Sequence, residues 1–303
     1  DVSYHGNSFK IKYILEEDQR VIKVHGSKID LRHANILDLA NISKYSPEEN
    51  SSFSIQADKL LMKNDITFHN IVGNLECKSH HCNNSGFSMK INAKDSLNLS
   101  LDPDDNKRWT FNTNNAAGLL KGLGIYNDIE GGTLEGTMHF VDNSAIEESR
   151  VLVGELSMKE FKAVKTPTIA KLFLLSPFSV IKKSFSKSPL IPFNTMKASF
   201  LYTNDKLQLN RSYAIGNSMS VTLEGSIDNK EDNINLHGKI IPKSKFNSFL
   251  ARFKGKKASE EEKEGPFGNH FMVEGNVSKP SVKINPLSAL VSFVIRLNPL
   301  WLI

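Results

Sequence analysis

Several features that mark common protein classes are missing from this sequence. It has only two cysteines among 303 residues and a formal net charge of +5. No run of about 18 uninterrupted apolar residues is present, so the sequence contains no candidate transmembrane helix. It begins at Asp1 without a signal peptide, and we therefore interpret it as a piece of a longer chain or a processed product.

Motifs of the common enzyme classes are also missing. We find no glycine-rich phosphate loop, no His-Glu-x-x-His pair and no nucleophile elbow. The nine histidines are scattered, and His80 and His81 form the only adjacent pair. We therefore predict a protein that is not an enzyme, with no catalytic residues, no metal and no cofactor. An enzyme site assembled from distant residues remains the alternative.

The charge is mildly basic, with a pI near 9.0, and the lysines are scattered along the chain. A nucleic-acid-binding protein more often concentrates its charge on one stripe, with arginine and aromatic residues between the basic ones. We expect no nucleic-acid partner. A solvated surface is the favoured interpretation of the lysines, and attraction to anionic lipid headgroups is the alternative.

The two cysteines lie close together, in the segment Cys77-Lys-Ser-His-His-Cys82. Both flanks are typical of strands, so the segment is predicted to form the tip of a hairpin. In an oxidising compartment, a disulfide between Cys77 and Cys82 is the expected outcome. Free thiols, or a metal site with His80 and His81, remain open alternatives, although neighbouring ligands on one short tip rarely converge on a tetrahedral ion.

Alternation of apolar and polar residues dominates the sequence. It runs through Phe87, Met89 and Ile91, and it recurs around Leu134, Val221, Leu236 and Val273. This period of two predicts antiparallel strands with one apolar face and one polar face, separated by turns rich in Asp, Asn and Pro. The predicted fold class is mainly β. The apolar face requires a cover, either a second sheet or an apolar guest held by a curled sheet.

A weak repeat places glycine within these strands. Its close copies are Leu134-Glu-Gly136, Leu223-Glu-Gly225, Leu236-His-Gly238 and Val273-Glu-Gly275, and Val24-His-Gly26 is a looser copy. Glycine inside a strand marks a bulge, a bend or a close approach to the backbone. We favour a bend that helps a twisted sheet to curl.

Helical signals are few. One helix is predicted over residues 115–126, capped by Asn114 or Asn115. Others are predicted from Thr166-Pro167 onwards, over residues 243–253, and after Pro286. A soft boundary near Glu130 divides the chain into an N-terminal β portion, residues 1–130, and a C-terminal portion, residues 131–303, with short helices and an apolar tail.

Longer segments resemble one family. The stretch from Phe111 to Gly136 is similar to a short helix followed by a Gly-Gly-x-Leu strand in AsmA-like proteins. Thr166-Pro-Thr-Ile-Ala-Lys-Leu172 is similar to a proline-led helix of that family. The segments around Ile191, Gly216 and Val273 follow in the family's order. The chain therefore resembles the C-terminal region of AsmA-like proteins of the YhdP type, which are related to TamB, most firmly over residues 108–297.

The resemblance implies a long, twisted and curled antiparallel sheet that forms an apolar groove, of the repeating β-groove type. It implies a bridge-like lipid carrier of the Gram-negative cell envelope, which guides phospholipids across the periplasm between the inner and outer membranes. The implied partners are phospholipid acyl chains and a membrane surface at the outer-membrane end. An inner-membrane anchor is expected in a preceding part of the chain. A scaffold for outer-membrane biogenesis without lipid transport is the alternative.

Two sets of residues are candidates for lipid contact in this interpretation. The expected groove residues are Met219, Val221, Leu223, Leu236, Ile240, Phe271 and Val273, although an ordinary sandwich core remains the alternative for them. Two apolar segments with neighbouring cations suit a membrane interface. The expected membrane-contact residues in these segments are Leu174, Phe178, Phe293, Ile295 and Trp301.

Overall fold

The computed structural model describes residues 8–16, 19–33, 50–78, 81–102, 104–105, 108–142, 150–164, 190–203, 206–217, 219–228, 230–242, 269–277 and 279–285. Within these ranges the chain forms a sheet of 15 strands whose order is the order of the sequence. The strands are β1 (Ser8–Glu16), β2 (Gln19–Asp30), β3 (Asn50–Leu61), β4 (Thr67–Lys78), β5 (His81–Lys90), β6 (Ser96–Leu101), β7 (Arg108–Thr113), β8 (Ile129–Asp142), β9 (Arg150–Val164), β10 (Leu190–Thr203), β11 (Lys206–Gly216), β12 (Met219–Asp228), β13 (Asn233–Pro242), β14 (Asn269–Asn276) and β15 (Lys279–Asn285). One helix, α1 (Ala116–Leu123), lies between β7 and β8. The prediction of a mainly β chain with few helices is confirmed.

The strands pair as hairpins in most of the sheet. The pairs from β3 to β8 and from β10 to β15 are antiparallel, as the alternation predicts. The pair β2–β3 differs, because its strands are parallel, with Gln19 opposite Asn50 and Asp30 opposite Leu61. A parallel pair requires a connection of about a dozen residues or more, and residues 31–49 provide that length.

The chain divides into two compact units, residues 1–161 and residues 162–303. The division falls within β9. The boundary predicted near Glu130 lies instead inside β8, where Gly131 and Gly132 have φ values of 68° and 85°. Both values lie in the left-handed region, which favours glycine.

Helix α1 begins where the sequence predicts it. Asn115 is the N-cap, and its side chain accepts a hydrogen bond from the backbone N–H of Gly118 at 2.7 Å. Its amide also donates to Asp95 at 2.8 Å, which ties the helix to the β5–β6 turn. Gly124, with φ of 70°, ends the helix in a left-handed cap. The helices predicted from Thr166, over residues 243–253 and after Pro286 lie outside the described residues.

Small residues let α1 approach the sheet closely. Ala116 is fully buried, and an added Cβ at Gly118 would lie 2.6 Å from Ile91. Around Gly122, an added Cβ would contact Phe68 at 3.2 Å. Phe68 is one of the most buried side chains of the unit, at 1% exposure. The helix therefore covers one end of the sheet's apolar face and forms the core of this unit.

Glycine and phenylalanine face each other repeatedly across neighbouring strands. The pairs are Phe9–Gly26, Gly73–Phe87, Phe111–Gly136, Phe193–Gly216 and Gly238–Phe271. In each pair an added Cβ on the glycine would lie 3.3 Å or less from an atom of the phenylalanine side chain. At Gly73 the close approach that the sequence left open is made by the Phe87 ring alone, whereas at the other four glycines a backbone oxygen lies as near as the phenylalanine or nearer.

Two glycines of the repeat serve a different purpose. Gly225 and Gly275 have φ values of 128° and 104°, which side-chain-bearing residues rarely adopt. They lie in β12 and β14. The favoured interpretation of the repeat as a bend stays a prediction. At Gly136 and Gly238, a phenylalanine ring of the next strand lies where an added Cβ would be.

The Gly73–Phe87 pair yields a double-mutant test. The nearest atoms to an added Cβ at Gly73 all belong to the Phe87 ring, the closest at 2.0 Å. We expect Gly73→Ala to lower the free energy of unfolding by about 1–3 kcal/mol. In a Phe87→Ala background the same change is expected to cost far less, because the conflicting ring is absent. Urea unfolding of the four proteins measures this coupling, and equal costs in both backgrounds would contradict the packing described here.

Candidate functional site

The strand registers of the first unit align apolar residues in rows across one face. A central row takes one residue from each strand from β1 to β8: Ile11, Val24, Ile55, Gly73, Phe87, Leu99, Phe111 and Gly136. A flanking row contains Tyr13, Ile22, Phe53 and Leu75. We call this surface the first-unit apolar face. It is continuous over eight strands because each cross-strand pair joins residues of the same face.

The first-unit apolar face is only partly covered. Near α1 it is closed, with Leu97 and Leu134 exposed by 5% and 4%. Away from the helix, every side chain of the central row keeps some solvent exposure. The exposure is greatest in β1, where Leu15 is 67% exposed. A contiguous exposed apolar surface is a candidate for an interaction site.

Aromatic rings lie in the middle of this face. The ring centroids of Phe53 and Phe87 are 6.4 Å apart, and those of Phe87 and Trp109 are 5.9 Å apart. These distances are typical of favourable tilted ring contacts. The three rings come from alternate strands, β3, β5 and β7, and Phe87 spans the gap above Gly73. The three rings therefore form an aromatic cluster at the centre of the face.

The opposite face of the same strands is hydrophilic. Ser88 donates to the Asn98 side chain at 3.0 Å, and Asn98 donates to Asn112 at 3.3 Å. Ser100 and Thr110 share a hydrogen bond of 2.7 Å. These hydrogen bonds form a polar ladder across β5, β6 and β7. The sheet thus separates an apolar face from a hydrated one, as the alternation predicts.

In the second unit, the seven expected groove residues come together on one face of three adjacent strands. Val221 lies opposite Ile240, and Leu236 lies opposite Val273. This face is largely closed: Met219, Leu236, Ile240, Phe271 and Val273 are exposed by 2%, 6%, 1%, 3% and 8%. Val221 and Leu223 alone among the seven keep partial exposure. Their role in lipid contact stays a prediction.

The first-unit apolar face was missed as a candidate site from the sequence. The sequence does contain the pattern that forms this face, an alternation of apolar and polar residues that includes Phe87, Met89, Leu97 and Leu99. The alternation does not show which apolar faces become buried, because burial depends on what packs against them. The expected membrane-contact residues Leu174, Phe178, Phe293, Ile295 and Trp301 lie outside the described residues.

The cysteine pair forms a disulfide. Cys77 and Cys82 face each other across β4 and β5, and their Sγ atoms are 2.00 Å apart. This outcome confirms the expected bond between Cys77 and Cys82. Cys77 is 2% exposed, so the bond also contributes to the buried end of the hairpin.

Metal sites and membrane-spanning helices are absent from the described residues. The described part of the chain holds no group of three or more His, Cys, Asp or Glu side chains arranged to bind a metal ion. Among the described helices, none is long and apolar enough to cross a membrane.

An ion pair of Asp30 and Arg32 lies at the end of β2. There, hydrogen bonds from Arg32 lower the pKa of Asp30 to about 2.

Comparison with known proteins gives no relative. No family model matches the chain, and no curated protein or solved structure matches it either.

The disulfide yields a stability test. Closing a short loop of this kind is expected to stabilise the fold by about 2 kcal/mol through the unfolded state. Reduction should therefore lower the urea midpoint of the natural chain. A Cys77→Ala/Cys82→Ala variant serves as the control, because reductant has no bond to break there. An unchanged midpoint of the natural chain under reductant would show that the pair contributes no stability.

Proposed function

We propose that this chain is a lipid-binding module that accommodates phospholipid acyl chains on the first-unit apolar face. The observation that carries the proposal is the continuous, partly exposed row from Ile11 to Phe111, with a hydrated face on the other side of the same strands. Acyl chains are uncharged, linear and flexible, and they match an elongated apolar surface. Each methylene group removed from water contributes about 0.8 kcal/mol.

Within this proposal, the chain guides phospholipid across the periplasm between the inner and outer membranes, as the resemblance to AsmA-like proteins implies. The chain acts by passive guidance and not by catalysis. The Cys77–Cys82 disulfide supports a location in the cell envelope, because such bonds persist in oxidising compartments such as the periplasm.

A structural scaffold for outer-membrane biogenesis is the second candidate. The burial of the second unit's face favours it, since Ile240 and Phe271 are 1% and 3% exposed and pack as core residues do. The two candidates differ in whether the natural chain carries lipid.

The test is native mass spectrometry with lipid extraction on the chain purified from a bacterial periplasm. Ile55→Asp places a charge in the middle of the first-unit apolar face, and the expected result is loss of most co-purifying phospholipid. Gln56→Asp is the matched control, because Gln56 is the next residue of β3 and lies on the hydrated face. Lipid binding by this control should be unchanged. Circular dichroism and thermal melting verify that both variants fold.

The second unit is tested separately with Val221→Asp and Leu223→Asp, the two partly exposed residues of its face. Lipid loss in Ile55→Asp alone would place acyl-chain binding in the first unit. A folded natural chain that is reproducibly free of lipid would refute the proposal and favour the scaffold. Equal lipid loss in Ile55→Asp and Gln56→Asp would show that the apolar face is not the site.

A further inference from the structure

The Cys77–Cys82 disulfide lies on the first-unit apolar face. Along β4, the buried or half-buried residues Gly73, Leu75 and Cys77 alternate with exposed neighbours. Leu75 belongs to the flanking row of this face, so Cys77 lies one step beyond that row on the same face. Cys82 is bonded to Cys77 from the neighbouring strand. The disulfide is therefore part of the surface that we propose for acyl chains.

The strand pair that carries this bond is the least regular one from β3 to β8. No register shift interrupts β3–β4, β5–β6, β6–β7 or β7–β8. The β4–β5 pair has one shift between His69 and Val72, where Asn70 has a φ of 52°. It has a second shift between Asn74 and Glu76. We call the β4–β5 pair the seam, because it joins two regularly paired parts of the sheet.

The aromatic cluster depends on the short stretch between the two shifts. Only three residue pairs lie there, and the middle one is Gly73–Phe87. The Phe87 ring lies 6.4 Å from the ring of Phe53 and 5.9 Å from that of Trp109. If the seam moved by one residue, Phe87 would lie opposite a residue that has a side chain. The ring occupies the space of an added Cβ at Gly73, so such a shift would displace it from the cluster.

The sequence of β5 specifies this register weakly. Residues 83–86 are Asn-Asn-Ser-Gly, and strands that are rich in glycine or polar on both faces are prone to change register. Ser85 accepts a hydrogen bond from the backbone N–H of Glu76 at 3.3 Å, which spans the second shift. The disulfide lies directly beside that shift. A covalent bond there excludes every register in which Cys77 and Cys82 are not opposed.

We propose that the disulfide is a redox-dependent clamp on the lipid-binding face, because the oxidised pair holds the seam in the register that places Phe87 over Gly73. This inference rests on the proposed function and adds its regulation. A dithiol reductant opens the clamp: two electrons and two protons convert the Sγ–Sγ bond into two thiols, while the dithiol becomes a disulfide. Since thiols stay reduced in the cytoplasm, acyl-chain binding is confined to oxidising compartments such as the periplasm.

The first test measures lipid binding in both redox states. The chain, purified from a bacterial periplasm and freed of lipid, is incubated with fluorescent phosphatidylethanolamine and separated by gel filtration. Treatment with dithiothreitol is expected to remove most of the bound lipid, and reoxidation is expected to restore it. Cys77→Ala/Cys82→Ala, the cysteine-free variant, should bind as little as the reduced chain and should not respond to dithiothreitol. Circular dichroism verifies that each form is folded.

Two engineered cross-links separate register from general stability. In the cysteine-free variant, Val72→Cys/Ser88→Cys joins opposed residues across the seam on the hydrated face. Ser52→Cys/Glu76→Cys makes the same kind of link in the regular β3–β4 pair. Both links constrain the unfolded chain. Once mass spectrometry shows that each bond has formed, we expect the seam link to restore lipid binding and the β3–β4 link to leave it low.

Hydrogen exchange of the lipid-free chain tests the clamp without any lipid. Reduction should speed the exchange of backbone amides over residues 72–88 and leave β6 and β7 little changed. Equal lipid binding in both redox states, equal rescue by the two cross-links, or an equal rise of exchange in the seam and in β7 would overturn the proposal. If the oxidised natural chain binds no lipid, the proposed function fails. If it binds lipid and reduction releases none, the clamp alone fails.

Discussion

The two-residue period of the β-strand is the constraint on which the rest of this structure depends. Because successive side chains point to opposite faces, alternation along the chain becomes separation across the sheet. Antiparallel pairing then aligns the apolar residues of neighbouring strands into rows, from Ile11 to Phe111 in the first unit and from Val221 to Ile240 in the second. A sheet built in this way always presents an apolar face that something must cover.

The two units meet that requirement to different extents. In the second unit, residues such as Met219 and Ile240 are as buried as those of an ordinary core. In the first unit, α1 covers one end of the face, and the rest stays partly exposed. This difference separates a buried face that stabilises the fold from a partly exposed one, which carries the proposed function. The exposed apolar surface is costly in water, and the lipid binding that we propose would offset this cost.

Glycine has two distinct physical roles in these strands. Where a phenylalanine lies on the next strand, as at Gly73 and Gly238, glycine leaves the space that the ring fills. Where φ is positive, as at Gly225, glycine permits a backbone conformation that other residues resist. Both roles were present in one sequence repeat. The sequence could not separate them, because the distinction depends on the residue across the strand.

The sequence by itself determined the local structure. Alternation predicted the strands and their two faces, Asn115 was one of two predicted caps of α1, and the spacing of Cys77 and Cys82 placed their bond across a hairpin. Helix α1 ends at Leu123, three residues before the end of the predicted helix, which ran to residue 126. Pairing over long distances was decided only by the tertiary structure. Examples are the parallel β2–β3 pair and the register shift in β1–β2, where Phe9 pairs with Gly26 but Ser8 pairs with Lys28. The reason is that strand propensity is local, whereas register and burial depend on segments far apart in the chain. Lys28 and Lys59, which are far apart in the sequence, therefore became neighbours only when β2 and β3 paired.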